Sequence, residues 1–80
     1  MRIDKFLKVS RILKRRTVAN TACSGGRVTI NGRSAKPAAQ LKIGDVVEVG
    51  FGSGAVKFEV LSLKETVGKA ESAEMYRIIV

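Results

Sequence analysis

Asn31-Gly32, set between Arg27-Val28-Thr29-Ile30 and Arg33-Ser34-Ala35, constrains this chain more than any other pair of neighbours. A two-residue type I′ turn needs positive φ at both central positions, and asparagine followed by glycine meets that demand best. The flanking residues alternate with a period of two, so a β-hairpin is expected over residues 27–35. Gly25-Gly26 stands just upstream, and glycine readily ends a helix in the left-handed conformation. The chain is therefore expected to switch from helix to strand at this double glycine.

Upstream of that switch, Ile3, Phe6, Leu7 and Ser10 recur at spacings of three and four, and so share one helical face turned to the core. Asp4 is placed to cap or open this first helix. Arg2, Lys5, Lys8 and Arg11 form a row with a uniform spacing of three, which drifts by about 60° per step in a continuous helix. A helix ending near Ser10 keeps the first three in one sector and leaves Arg11 to be redirected, with Ile12 and Leu13 as apolar anchors of the connection. Thr17 reads as the N-cap of a second helix through Val18–Ser24. Val18, Ala19, Ala22 and Cys23 form its expected inner side, with Cys23 a small buried hydrophobe rather than a reactive thiol.

Downstream of the hairpin, Pro37 opens an irregular stretch, and Leu41-Lys42-Ile43-Gly44-Asp45 delivers a strand over Val46–Phe51. A Gly52-Ser53-Gly54 turn leads to a strand over Val56–Leu63. A polar loop from Lys64 to Glu74 then precedes a last strand, Met75–Val80. The expected fold is α+β: one small domain with two N-terminal helices packed on a small, mostly antiparallel sheet of about five short strands. With 80 residues, 45% hydrophobic and 5% aromatic, its core is small and built mainly from Val, Ile, Leu and Ala. Phe6, Phe51 and Phe58 all fall at core positions.

Net charge is +8, and it is segregated. Residues 1–36 hold ten bases against one acid, Asp4, whereas residues 37–80 hold five bases against six acids. Solubility alone does not require that segregation; a polyanion-binding face on a near-neutral scaffold does. Catalysis finds no footing. There is no histidine, no nucleophile elbow, no phosphate-binding loop and no metal-ligand cluster, and nothing marks any two acids as a working pair. Neither an enzyme, a cofactor nor a metal is expected, and one cysteine cannot form an intrachain disulfide. The sequence shows no apolar run of signal-peptide or membrane-spanning length, so the cytoplasm is the expected compartment. A membrane-surface role is not expected, because the apolar residues are required for the core.

The run Lys14-Arg15-Arg16-Thr17 is the strongest candidate for anion contact, since it places three cations beside an expected helix N-terminus. Arginine adds a planar fork that holds phosphate oxygens in bidentate fashion. Arg2, Lys5, Lys8 and Arg11 extend that patch across the first helix, where Asp4 either caps the helix or orients a neighbouring arginine. Asp4 and Lys8 also stand at the spacing of a helix-stabilising pair. Arg27, Arg33 and Lys36 flank the hairpin as further candidates. Only Tyr76 is left for base stacking, so the inventory suits structured RNA gripped through phosphates and 2′-hydroxyls.

The stretch Arg2-Ile-Asp-Lys-Phe-Leu-Lys-Val-Ser-Arg-Ile-Leu-Lys-Arg-Arg-Thr17, followed by Ala22-Cys-Ser-Gly-Gly-Arg-Val-Thr-Ile-Asn-Gly32 and by Leu41-Lys-Ile-Gly-Asp45, resembles the S-four RNA-binding domain. The resemblance covers residues 1–50 as an RNA-binding core, with residues 51–80 as a strand extension of the same domain. Relatives that carry this module mostly join it to a catalytic or ribosomal body. As a stand-alone chain of this length it is similar to small factors of ribosome-associated quality control. That resemblance implies binding to an obstructed 50S ribosomal subunit, with ribosomal RNA and peptidyl-tRNA as partners and a tailing factor on the same particle. It also implies assistance of alanine tailing of the stalled chain, with Arg2, Asp4 and Arg16 foremost in ribosomal RNA contact; a monomer is expected. The alternatives are a generic structured-RNA module in ribosome assembly and a heat-shock-type factor for free large subunits. The latter usually carries a longer basic tail, whereas Ile78-Ile79-Val80 read as strand.

Overall fold

The first helix begins where the chain stops pairing as a strand. Arg2 forms an isolated antiparallel bridge with Gln40, the Ile3 N–H donates to the Ala39 carbonyl at 2.8 Å, and the Leu41 N–H donates to that of Met1 at 2.9 Å. Arg2 is consequently the extended N-cap of helix α1 (Ile3–Val9), with φ −67° and ψ 145°. This computed structural model describes residues 1–13, 16–51, 54–64 and 68–79, and only the backbone of Arg16, Thr17, Phe51, Lys69 and Ala70. Asp4 lies inside the first turn and is not the cap, because the pairing with residues 37–41 sets the helix onset.

Helix α1 buries Ile3, Phe6 and Leu7, and its C-cap Ser10 is buried beside them, the face expected from their spacing. It stops at Val9, and Arg11 adopts a left-handed φ of 64°. The Leu13 N–H then reaches back to the Leu7 carbonyl at 3.0 Å, which anchors Leu13 in the core while Ile12 stays half-buried. Helix α2 spans Arg16–Ser24, so Thr17 sits within the helix rather than at its cap. Burial of Leu13 and Ala19 on either side fixes where this helix lies, and outweighs a cap preference of about 1 kcal/mol.

The end of α2 follows from its double glycine. The Gly26 N–H bonds the Cys23 carbonyl at 3.1 Å and the Arg27 N–H bonds that of Ala22 at 3.0 Å, with Gly26 at φ +76°. These two bonds make a Schellman cap. Ala19, Ala22 and Cys23 are buried, and their small side chains let α2 approach its neighbours closely. Val18 departs from expectation: it is 47% exposed, because it faces an open cleft rather than the core.

One sheet carries the helices, with strand order β2-β1-β3-β4-β5 and every pairing antiparallel. Its strands are β1 (Val28–Ile30), β2 (Arg33–Ser34), β3 (Val46–Phe51), β4 (Gly54–Val60) and β5 (Tyr76–Ile78). Asn31 and Gly32 have φ of 52° and 83°, the type I′ geometry. The registers Val28↔Val49↔Val56 and Ile30↔Val47↔Phe58↔Ile78 place the apolar residues on one face. Phe6 of α1 stacks on Phe58 at 5.9 Å and 14°, and Tyr76 meets Phe58 edge-on at 5.5 Å, so helix and sheet share an aromatic contact.

The other face is polar and self-neutralised: Glu48 stands opposite Lys57, and Glu59 pairs with Arg77. Strand β4 ends at Val60 and not at Leu63, because the Leu61 and Ser62 N–H groups turn to the Met75 carbonyl. The expected polar loop contains a short helix α3 (Lys69–Ser72) and a 3-10 turn, Ala73–Met75. Buried Ser72 and Met75 hold these turns, which are too short to be stable through propensity alone. Met75 therefore belongs to the turn, and β5 is shorter than the expected Met75–Val80 strand. Gly52-Ser53, Glu65-Thr66-Val67, Val80 and the expected core position of the Phe51 side chain lie outside the described residues.

Candidate nucleic-acid interface

Asp4 is the one acid of the basic half, and it is only 1% exposed. Its Oδ1 accepts from Arg2 Nε at 3.2 Å, its Oδ2 accepts from Arg2 Nη2 at 3.0 Å, and Oδ1 also takes the Lys5 N–H at 2.7 Å. The Arg2 fork is thus held edge-on by a carboxylate while its side chain remains 42% exposed. Of the two roles open to Asp4, orienting a neighbouring arginine is the one observed. Lys8 stands exposed in the last turn of α1. A fork fixed in this way loses little side-chain entropy when its remaining donors meet a phosphate.

The other candidates fall into two groups. Lys5, Lys8 and Arg11 follow Arg2 along the solvent side of α1, with Lys5 half-buried and the other two exposed. The left-handed turn at Arg11 interrupts the helical drift that would have carried it to the far side. Lys36 joins them through tertiary structure, since Pro37 next to it accepts the Asp4 N–H at 3.3 Å. Arg27 and Arg33 are both exposed but sit at opposite ends of β1: Arg27 just before Val28, Arg33 across the turn opposite Ile30. Arg33, on edge strand β2, is therefore not gathered with Arg27. Lys14 and Arg15 lie outside the described residues, and Arg16 and Thr17 are placed only as the backbone that opens α2.

Gln40 was not among the residues singled out from the sequence, yet its Oε1 accepts from the Met1 ammonium at 3.2 Å beside the Arg2 bridge. No local signal could find it, because its partners are 38 and 39 positions away. Burial raises the Cys23 thiol pKa from its ordinary value of 9.0, with the Asp4 charge acting in the same direction. The thiol is buried, as expected. Among the described residues there is no metal-ligating cluster, and no helix is long and apolar enough to cross a membrane.

Residues 1–47 match the family model of the S4 domain. The chain belongs to that family. Its S4 domain is similar to a Bacillus subtilis protein named RQC P-site tRNA stabilizing factor, with 49% identity covering 99% of this chain and 92% of that one. A protein of the same name from Halalkalibacterium halodurans is 47% identical, over 98% of this chain and 89% of the relative. Among solved structures, Vibrio cholerae Heat Shock Protein 15, described as trimeric, superposes with a TM-score of 0.91 at 29% identity. That match covers 99% of this chain and 81% of the other. The S4 match spans α1, α2, β1, β2 and the start of β3, the elements that carry the basic candidates.

Proposed function

We propose that this chain is a non-catalytic, cytoplasmic RNA-binding factor that acts as a monomer on obstructed 50S ribosomal subunits. In this reading its basic residues on α1, at the α2 entry and around the hairpin grip ribosomal RNA, and the same particle carries a peptidyl-tRNA that the factor helps to hold. Residues 1–50 form the binding core and 51–80 extend its sheet. The outcome is support for alanine tailing of the stalled chain by a separate tailing factor.

The observation that carries the reading is the near full-length similarity to proteins named RQC P-site tRNA stabilizing factor. The Arg2–Asp4 unit supports it: a buried carboxylate fixes an arginine fork within the basic half. Arg2, Asp4 and Arg16 are accordingly the residues assigned the largest share of ribosomal RNA contact. The similarity to Heat Shock Protein 15 favours a second reading, a factor for free large subunits.

Purifying the tagged chain from cells with its bound particle tests both. Large subunits carrying peptidyl-tRNA are expected. Free large subunits without tRNA would favour the second reading, and mature 70S ribosomes or messenger RNA alone would overturn the first.

A further inference from the structure

A cleft of about 260 Å³ opens between α2 and the sheet, lined by Leu13, Val18, Thr21, Ala22, Arg27, Val49 and Gly50. Its walls are mostly apolar, and Val18 stands 47% exposed over it. The volume falls below the roughly 300–1,000 Å³ of sites for drug-sized ligands, so the cleft suits one ring or one large side chain. Leu13 directly precedes the Lys14–Thr17 run and Val18 directly follows it, which ties the cleft to the most basic part of the sequence. Arg27, exposed at its rim, supplies a planar cation.

We propose that this cleft is a nucleobase site: it takes one unpaired base of the bound RNA against Leu13 and Val18, over the buried Val49, with the adjoining phosphate on Arg27. The inference rests on the RNA-binding reading above and adds to it a preference for unpaired over fully paired RNA. Phe6 and Phe58 are buried and Tyr76 packs edge-on against Phe58, so none of these rings offers a stacking platform. An apolar slot with a guanidinium plane at its edge meets the same need, because unstacked bases also settle on arginine planes. Charge decides against an apolar side chain of a protein partner as occupant: residues 1–36 hold ten bases and one acid, and the acid is already paired with Arg2.

The test follows the methyl signals of Leu13, Val18 and Val49 by NMR, together with the backbone amides of α1, during titration with two RNAs of equal phosphate number. One is a blunt duplex and the other a hairpin with unpaired loop bases. The methyls are expected to shift with the hairpin and not with the duplex. Val18→Ser, at an exposed position, is expected to cut hairpin affinity by about ten-fold with little loss for the duplex. If the hairpin shifts the α1 amides while the methyls stay still, the nucleobase site is overturned and RNA binding stands. If neither RNA shifts any signal, both readings fall. Methyls that respond to N-acetylleucinamide and not to RNA would assign the cleft to a protein side chain and overturn the proposal.

Discussion

Arg2 and Asp4, two residues apart, are joined by a two-point charge-assisted contact in which the carboxylate is buried and the guanidinium half-exposed. Removing the charge at Asp4 therefore has two opposing effects on RNA affinity. Asp4→Asn raises the net charge by one, which by simple electrostatics tightens binding, but it also releases the Arg2 fork. We expect positioning to win, so that affinity falls several-fold at fixed salt. Tighter binding of Asp4→Asn in a filter or anisotropy assay would show that Asp4 is only a structural neighbour. Arg2→Ala leaves the buried carboxylate short of a partner and should lower stability by about 1–3 kcal/mol, read from a denaturant melt.

Arg11 holds a left-handed φ of 64° where glycine would be less strained. Arg11→Gly is expected to stabilise the fold by about 1 kcal/mol. That corresponds to a rise of about 4–8 °C in Tm for a domain of this size. The same substitution should weaken RNA binding and make the salt slope shallower by about one unit. An unchanged slope would remove Arg11 from the interface.

Binding through phosphates makes affinity steeply dependent on salt. With about five phosphates neutralised, log K against log salt should fall with a slope of about −4. Measuring it across a fourfold range of salt is sufficient, and a flat line would refute a phosphate grip.

Asn31 links the hairpin to the turn before β3. Its Nδ2 donates to Asp45 Oδ1 at 3.1 Å, its Oδ1 accepts the Val46 N–H at 2.9 Å, and Asp45 Oδ2 accepts the Lys42 N–H at 2.8 Å. Asn31→Gly keeps the positive φ and loses only the side-chain bonds, at a cost of about 1–2 kcal/mol. Asn31→Ala adds backbone strain and should cost about 1–2 kcal/mol more. Thermal melts that fail to rank the two in this order would show that the turn is not under conformational demand.

The Cys23 thiol is buried with its pKa raised above the ordinary 9.0. The folded state holds its proton more tightly than the unfolded chain does. This contribution to stability is complete below pH 9.0 and is lost as pH rises from there through the raised value. Cys23→Ser should flatten the alkaline decline in a stability–pH profile, and a thiol reagent at pH 8 should react with the native protein far more slowly than with the unfolded one.

Local rules settled the parts of this protein whose causes are local. The Asn31-Gly32 turn, the Schellman end of α2 at Gly26 and the α1 face of Ile3, Phe6, Leu7 and Ser10 all follow from φ preference and residue spacing, which are properties of neighbouring residues. The gathering of basic residues into 1–36 was likewise legible, because charge is counted without coordinates. Tertiary structure alone decided the rest. Asp4 became a buried partner of Arg2 because the first residues pair with 37–41. Val18 came to line a cleft because the sheet leaves a gap beside α2. The polar stretch before β5 gained helical turns because Ser72 and Met75 are buried. Each outcome depends on contacts between residues far apart in the chain, and neither periodicity nor composition encodes which distant surfaces meet.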